Sequence, residues 1–424
     1  MPGSVPPESA YDRRRLGQWA RSEARTAGMA RRDLIRLVAA AGVAVPLSTQ
    51  AAPAAAVPAQ AAPPAAPGIV KPLPPELFTL RGTNAETRFA ALRDTGHHTP
   101  ADRFFVRNHT STPLIDAADW RLTVWGDGLR GGPAHFGYEE LRALPARTAT
   151  AFIECAGNGR SHYTTQQGQT VSGTAWTLGA IDVGRWRGVR LAEVLRRAGI
   201  TRRAVDVLPR GLDAEVVSAG VNLGRVRRPL PVAKALDDAL LAYELNGEPL
   251  PPDHGHPVRL VVPGWIGISS IKWLGDIEVS DTPLYTPWNT DLYRLFGPDH
   301  PAEGSAPLTR QTLKSAFELD WGAELTARRP VRLTGRSWSG AAPVHTVRIS
   351  TDGGHRWRRA RLHDSPRRDT WVRWSLEWTP PAPGPAVLLA RATDGTGRSQ
   401  PDTAAYNTQG YLFDAVVRHP VTVV

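Results

Sequence analysis

Between about residue 74 and residue 293, short apolar runs alternate with longer segments of helical periodicity. "RLTVWG", "FIECAG" and "VRLVVPG" have the length and the β-branched or aromatic content of buried strands. "RLAEVLRRAG" and "VAKALDDALLAYELNG" repeat apolar residues every three or four positions, which predicts helices. Strands mixed with helices in this way predict an α+β domain.

From about residue 330 the pattern changes to strands alone. "VRLTGRSWSG", "VHTVRISTDGGHRWRRARL", "TWVRWSLEWTP" and "AVLLARATDGTGRSQ" are rich in β-branched and aromatic residues. The pairs Asp352–Gly353 and Asp394–Gly395 are typical of hairpin turns. About seven short strands over roughly 100 residues predict an immunoglobulin-like sandwich.

The N-terminal part has the layout of an export signal. Arg31 and Arg32 stand directly before an apolar stretch, Leu34 to Leu47, which is too short and too rich in alanine for a membrane span. Small residues and prolines follow, as they do near a cleavage site. The twin arginines resemble a Tat signal and predict a periplasmic or secreted protein that is exported already folded. A basic disordered tail is the alternative.

These patterns divide the chain into segments. Translation from Met29 would make the residues before it dispensable. The expected segments are this extension (1–28), a Tat-type signal peptide (29–62), an Ala- and Pro-rich linker that overlaps its end (48–75), the α+β domain (76–295), a polar connecting segment (296–325) and the sandwich (326–424).

Composition narrows the function classes. The formal charge of +11 comes almost wholly from arginine, because the sequence has only the lysines Lys71, Lys234, Lys272 and Lys314. No zinc-finger spacing, RNA-binding aromatic motif or basic helical stripe indicates a nucleic-acid partner. The abundance of Arg, Ala, Gly and Pro is typical of a GC-rich genome. The single cysteine, Cys155, excludes an internal disulfide.

That cysteine lies in "FIECAGNGRSH", where a Gly-Asn-Gly turn leads to Arg160. A lone cysteine is most often a small buried apolar residue. A thiolate is also a soft metal ligand, and glycines let the backbone approach a bulky cofactor. The guanidinium of Arg160 suits an oxyanion bound beside the thiol. A cysteine nucleophile with a histidine base is a third interpretation.

Two basic stretches favour the metal-ligand interpretation. In "RFFVRNHTSTP", strand alternation would place Phe105, Arg107 and His109 on one face, where a buried cation needs an anionic or polar partner. "DHGHPVRLVVPGWIGISSIKWLG" gathers basic and hydroxyl side chains among Gly and Pro turns, a composition suited to a phosphate-bearing ligand. All three clusters fall within the predicted α+β domain.

Longer motifs carry a family resemblance. "FFVRNH", "ECAGNGRS", "TAWTLGAIDVGRWRGVRL", "LLAYELNGEPLPPDHGHPVRLVVPGWIGISSIKWLG" and "DLYRLFG" together resemble the sulfite oxidase family of molybdopterin enzymes. The resemblance runs from about residue 74 to the C-terminus and keeps the order of the motifs. It implies a central molybdenum-cofactor domain followed by an immunoglobulin-like dimerisation domain, and hence a homodimer.

The resemblance also implies roles for single residues. Cys155 stands at the position of the thiolate that ligates molybdenum, where sulfite would be oxidised to sulfate by oxo transfer. The residues at the substrate pocket of the family are Arg107, Arg160, Trp176 and Tyr293. Those expected to hold the pterin and its phosphate are Asn108, His109, Asp213, His254, Arg259, Ser270 and Lys272.

One departure concerns the anion pocket. The family often has an arginine in a short "N-L-R-G" element near the C-terminus, whereas this chain has "YNTQGYLFD" with Gln409 at that place. An uncharged side chain there should weaken binding of a dianion. A sulfane dehydrogenase-like subunit, or an oxidoreductase for another small oxyanion, is therefore the alternative function.

The expected partners follow from the same motifs. The sequence has no C-x-x-C-H haem motif, so we expect electrons to leave to a separate c-type cytochrome or another external acceptor. A small sulfur oxyanion is the expected substrate. The rival class is a non-enzymatic secreted binding protein with a degenerate site, although Cys155, Arg107, Arg160 and Tyr293 are all present.

Overall fold

The computed structural model of the protein describes residues 68–218 and 220–424. The expected segments that lie wholly or mainly outside these residues are the extension (1–28), the signal peptide (29–62) and the linker (48–75). In the described part of the chain, no helix is both long enough and apolar enough to cross a membrane.

The N-terminal domain is an α+β assembly, as predicted. Its strands are β1 (Phe78–Arg81), β2 (Asn84–Thr87), β3 (Arg121–Trp125), β4 (Ala134–Gly137), β5 (Ala146–Glu154), β6 (Ile181–Arg190), β7 (Asp206–Gly211), β8 (Val217–Ser218), β9 (Val221–Asn222), β10 (Leu230–Pro231), β11 (Leu240–Leu245), β12 (Glu248–Pro249), β13 (Arg259–Val261) and β14 (Leu274–Ser280). Its helices are α1 (Tyr138–Arg142), α2 (Ser161–Thr165), α3 (Leu191–Arg197), α4 (Val232–Asp237) and α5 (Pro287–Thr290), with 3-10 turns at Phe89–Leu92, Ala101–Arg103, Pro252–His254 and Gly267–Ser269.

Two sheets organise this domain. One has the strand order β10-β7-β14-β3-β4, in which β14 and β3 run parallel. The other has the order β12-β11-β6-β5, and β13 also pairs with β11. Alternate residues of β3, Leu122 and Val124, share a buried core with Leu191 and Leu195 of α3.

The C-terminal domain is the predicted all-β sandwich. Its strands are β15 (Lys314–Phe317), β16 (Ala323–Leu325), β17 (Val331–Trp338), β18 (Val344–Ser350), β19 (Arg358–Arg359), β20 (Arg361–Leu362), β21 (Trp371–Trp378), β22 (Gly384–Asp394) and β23 (His419–Val423). The two sheets have the orders β15-β17-β21-β20 and β16-β23-β22-β18-β19. Leu333, Val347, Trp374 and Leu388, one from each of four strands, are completely buried in a common core.

Two segments that the sequence predicts as a linker and a polar connection make regular contacts in the structure. Residues 68–75 of the predicted linker pack on the domain, because the backbone N–H groups of Val70 and Lys71 donate to the buried carboxylate of Asp253. The predicted polar segment 296–325 contains β15 and β16, whose main chains pair with β17 and β23.

The predicted helix "VAKALDDALLAYELNG" is helical only in its first half. α4 ends at Asp237, and Leu240–Leu245 forms β11, which pairs with β6, β12 and β13. A continuous run of four to eight apolar residues is compatible with a buried strand as well as with a helix. Their burial between two neighbouring strands decides the outcome, since Leu240 to Tyr243 are all nearly inaccessible to solvent.

A buried interface joins the two domains at the end of β5. Glu154 is completely buried and forms an ion pair of 2.7 Å with Nζ of Lys314 in β15. The backbone carbonyl of Glu154 accepts a 2.7 Å hydrogen bond from the side chain of Gln311. Burial raises the pKa of the Glu154 carboxyl, and the ammonium of Lys314 acts to lower it. These contacts hold the end of β5 against the C-terminal domain.

Replacement of Lys314 by methionine should lower the free energy of unfolding by about 3–5 kcal/mol, because it leaves the Glu154 carboxylate buried and unpaired. The double variant Lys314→Met/Glu154→Gln should recover part of this loss, since no charge then remains inside. Urea unfolding followed by tryptophan fluorescence measures both variants.

The control is Arg203→Met, which removes an exposed arginine from its 2.6 Å ion pair with Asp281. It should cost less than about 1 kcal/mol. If Lys314→Met cost no more than this control, the buried pair would contribute nothing to the domain interface.

Candidate active site

A cleft of about 740 Å³, including its open mouth, lies beside the end of β5. Most of the thirteen predicted site residues line it. They are Arg107, Asn108, His109, Cys155, Asp213, His254, Arg259, Ser270, Lys272 and Tyr293. The other three, Arg160, Trp176 and Gln409, are buried next to the cleft without lining it.

The longest strand pair of the N-terminal domain positions Cys155. β5 and β6 are in register over nine residue pairs, from Ala146 opposite Val189 to Glu154 opposite Ile181. The backbone N–H of Cys155 continues this ladder with a 2.9 Å hydrogen bond to the carbonyl of Ala180. The thiol is free and half-buried, and it lines the cleft. The sheet therefore presents the sulfur at a strand end, where a ligand can reach it.

The segment around Arg107 is not the strand that the sequence predicts. It is irregular, and Val106 makes only an isolated bridge to Ala85. Its backbone is bound by side chains instead, because Phe105 N–H donates to Asp182 at 2.6 Å and Asn108 N–H donates to Asn84 at 2.9 Å. Phe105, Arg107 and His109 nevertheless line the cleft, together with Asn108.

Several cations meet in the cleft, and their hydrogen bonds end on neutral oxygens. Arg259 donates to the carbonyls of His254 and Ser270, each at 3.0 Å. Lys272 donates to the side-chain oxygen of Asn108 and, at 2.8 Å, to the carbonyl of Asp253. Arg107, Arg259 and Lys272 thus concentrate positive charge where an anionic group can bind.

Burial makes this charge costly. It lowers the pKa of Arg259 to about 9. Burial and the neighbouring Arg259 hold the pKa of Lys272 well below its usual range. The pKa of His254 is also well below its ordinary value, through burial and the nearby cations Lys71, Lys272 and Arg259. A bound anion would raise each of these pKa values, so the cluster is suited to a negatively charged ligand.

Tyr293 faces the thiol side of the cleft. Its backbone lies in the left-handed region, with φ of 56°. Burial raises the pKa of its phenol, which Arg107 acts to lower and Cys155 acts to raise. The phenol is therefore protonated at neutral pH. A residue held in a strained conformation beside charged groups is typical of a functional site.

Arg160, the residue directly before α2, reaches the same region. It is 7% exposed, its Nε donates to the carbonyl of Gln409 at 2.8 Å, and its Nη1 donates to the carbonyl of Thr174 at 2.9 Å. Three glycines surround its side chain, because a Cβ at Gly157, Gly173 or Gly410 would lie 2.5–2.8 Å from Arg160 atoms. The Gly-rich turns therefore serve to accommodate a guanidinium.

The remaining two predicted residues, Trp176 and Gln409, contact other groups of the protein beside the cleft. Trp176 is buried and packs edge-on against Phe105 with 6.4 Å between ring centroids. Gln409 donates from its amide nitrogen to the carbonyl of Asp291 at 3.3 Å. Its amide oxygen is buried and has no hydrogen-bond partner within the described ranges.

Sequence reasoning missed two residues of this region. Lys71, which falls in the predicted linker, lies 3.5 Å from Nε2 of His254, and burial lowers its pKa to about 8. Tyr411 stacks on Tyr293 with 5.2 Å between ring centroids. A signal for Lys71 existed, since lysine is rare in this chain, but no motif pointed to Tyr411.

Comparison with known proteins identifies the fold. A model of the oxidoreductase molybdopterin binding domain matches residues 109–288, and a model of the Mo-co oxidoreductase dimerisation domain matches residues 318–423. Sulfite oxidase from Gallus gallus is 34% identical over 338 residues, which are 75% of this chain and 71% of that protein. The chain belongs to the sulfite oxidase family.

Other members of the family are similar to most of this chain. Mitochondrial sulfite oxidase from Mus musculus is 34% identical over 362 residues, which are 81% of this chain. The chain spans 65% of the mouse protein, less than two thirds of its length. The crystal structure of the sulfane dehydrogenase SoxCD from Paracoccus pantotrophus matches with a TM-score of 0.70 at 28% identity, covering 80% of this chain and 84% of that one.

The cleft fits the molybdenum cofactor of this family. Cys155 offers a soft sulfur ligand. Arg259 and Lys272, whose hydrogen bonds end on neutral oxygens, suit a phosphate. A buried carboxylate oxygen of Asp213 has no hydrogen-bond partner in the described residues, which leaves an acceptor for the N–H groups of a pterin.

The glycines around Arg160 allow a matched test. Gly173 has φ of +103°, and a Cβ there would lie 2.8 Å from Nη1 of Arg160, whereas Gly168 has φ of +69° and open space around it. Both Gly→Ala variants should lose about 1–2 kcal/mol of stability through left-handed strain.

Only Gly173→Ala should also weaken the binding of inorganic sulfate, because it displaces the Arg160 guanidinium. Calorimetric titration of sulfate into each variant measures this, with Gly168→Ala as the control for strain alone. Equal sulfate affinities in the two variants would show that Arg160 is not held for an anion.

Proposed function

We propose that the protein is a molybdenum-cofactor oxidoreductase that oxidises sulfite to sulfate and passes the electrons to an external c-type cytochrome. The observation that carries the proposal is the cleft itself. It unites a free thiol, the guanidinium of Arg107 and the phenol of Tyr293 with a buried cationic cluster. When bound, the molybdenum cofactor would supply the transferable oxo group and accept two electrons.

Different residues of the cleft would bind different parts of the cofactor. Cys155 would ligate the metal as a thiolate, and a metal holds such a thiol deprotonated at neutral pH. Arg259 and Lys272 would neutralise the phosphate, assisted by His254 and Ser270. Asn108, His109 and Asp213 would orient the pterin through hydrogen bonds.

The substrate would bind on the thiol side of the cleft. Arg107 would neutralise the oxyanion directly, and Arg160 would supply a second guanidinium from its glycine-lined position. Tyr293 would donate a hydrogen bond from its phenol, which stays protonated because burial raises its pKa. Trp176 would support the pocket from behind by packing on Phe105.

A sulfane, or a small oxyanion other than sulfite, is the second candidate substrate. The uncharged side chain of Gln409, which is held by Asp291 at the place of a frequent arginine, favours it. The structural similarity to a sulfane dehydrogenase supports the same candidate.

The proposal also includes the oligomeric state and the cellular location of the protein. The match of residues 318–423 to a dimerisation domain supports a homodimer. The twin-arginine pair Arg31–Arg32 supports export through the Tat pathway to the periplasm or outside the cell. Export of folded protein would allow the cofactor to be inserted in the cytoplasm.

Molybdenum analysis tests the proposed enzyme. Protein made in a cofactor-competent host should contain close to one molybdenum per chain and turn over sulfite with cytochrome c. Cys155→Ser should lose most of this activity, because a hydroxyl is a poor substitute for a soft thiolate ligand. Wild-type protein made without molybdate is the control. A wild-type protein that takes up no molybdenum would favour a non-enzymatic binding protein.

Turnover with sulfite, thiosulfate and nitrate distinguishes the candidate substrates. If sulfite is the substrate, Gln409→Arg should lower its KM on the order of tenfold or more, because a charge-assisted hydrogen bond contributes about 1.5–3 kcal/mol. Gln409→Met, which removes the amide without adding charge, is the control. An unchanged or raised KM in Gln409→Arg would favour another substrate.

A further inference from the structure

The ring of Tyr411 contacts two groups of the proposed substrate pocket. One face stacks on Tyr293, with ring centroids 5.2 Å apart and ring planes within 14°. The guanidinium carbon of Arg160 lies 5.2 Å from the centroid of the same ring. A cation over an aromatic face and a stacked aromatic pair are both attractive, so one side chain contacts both groups favourably.

The charged groups of the pocket affect the pKa of the Tyr411 phenol. Burial raises its pKa, Tyr293 and Cys155 act in the same direction, and Arg160 and Arg107 oppose them. The phenol thus lies within electrostatic range of the thiol and of both arginines. It is neutral, so it adds no charge to the pocket.

The backbone of Tyr411 is firmly held. Its N–H donates to the side chain of Asn407 at 2.8 Å, and its carbonyl accepts a 2.8 Å bond from the same side chain. The hydroxyl of Tyr163 donates to that carbonyl at 3.1 Å. The next residue, Leu412, donates to the carbonyl of Ala156 at 2.9 Å, one residue after Cys155. The ring is therefore anchored relative to the thiol loop.

We propose that Tyr411 is a positioning residue that determines anion affinity by holding Arg160 and Tyr293 in place. Arg160 is bound to backbone carbonyls through Nε and Nη1. The guanidinium carbon also lies over the ring of Tyr411, and this cation–π contact favours the same position of the guanidinium. The inference rests on the proposed function, because it assumes that this pocket binds a small oxyanion.

The test compares Tyr411→Leu, Tyr411→Phe and, as a control, Tyr406→Leu. Tyr406 lies in the same C-terminal segment, and its hydroxyl donates to the carbonyl of Thr170. Tyr411→Leu should weaken sulfate binding and raise the KM for sulfite on the order of tenfold, with a smaller change in kcat, because the cation–π contact is lost. Tyr411→Phe keeps the ring and should keep the wild-type affinity. Tyr406→Leu should do the same.

A second comparison separates positioning from general loss of stability. In an Arg160→Met background, Tyr411→Leu should have a much smaller effect on sulfate affinity than in the wild type, because only its contact with Tyr293 is then left to lose. Additive losses would overturn the proposal, and so would an unchanged affinity in Tyr411→Leu. Sulfate binding is measured by calorimetry and molybdenum content by metal analysis. A wild-type protein that binds sulfate without oxidising sulfite would contradict the proposed reaction while leaving the role of Tyr411 intact.

Discussion

The buried charge of Glu154 is the constraint on which the rest of the structure depends. It lies one residue before Cys155, and its ion-pair partner Lys314 belongs to the other domain. Asn158, in the turn after the thiol, donates to the same carboxylate oxygen at 3.0 Å. A carboxylate without contact to water is tolerated only when paired and hydrogen-bonded, so this pair favours the arrangement in which Lys314 reaches Glu154. The segment that carries Lys314 and Gln311, at the start of the C-terminal sandwich, therefore also fixes the strand end that presents the thiol.

The C-terminal domain reaches the opposite side of the site. Leu412 binds the backbone after Cys155, and the carbonyl of Gln409 holds Arg160. Both the thiol and the guanidinium behind it are thus positioned by residues more than 150 positions away in the chain. Such long-range contacts explain why a lone cysteine in a Gly-rich turn is compatible with several chemistries until the fold is known.

This geometry explains how much of the site could be predicted. Strand patterns in the C-terminal domain predict β17, β18, β21 and β22 because their sequences are rich in β-branched and aromatic residues. The basic stretches reach the cleft even where the local prediction is wrong, as it is for the irregular segment at Arg107. Tyr411 could not be predicted, because its role depends on a ring contact with Tyr293, 118 residues earlier in the chain. No local periodicity or motif in the sequence indicates a ring contact between residues so far apart.

The lysines of this arginine-rich chain lie at buried or half-buried positions. Most basic residues of the chain are arginines, and only four are lysines. None of these four lysines is exposed. Lys314 neutralises Glu154, Lys272 binds Asn108 and Asp253, and Lys71 contacts His254. An ammonium is compact and donates in three directions, whereas a planar guanidinium needs a flat, forked site. At each of these three places the ammonium is buried or half-buried and lies against polar atoms of a distant segment of the chain. Lys71 thus reaches a residue that lines the cleft, although its sequence surroundings are those of a linker.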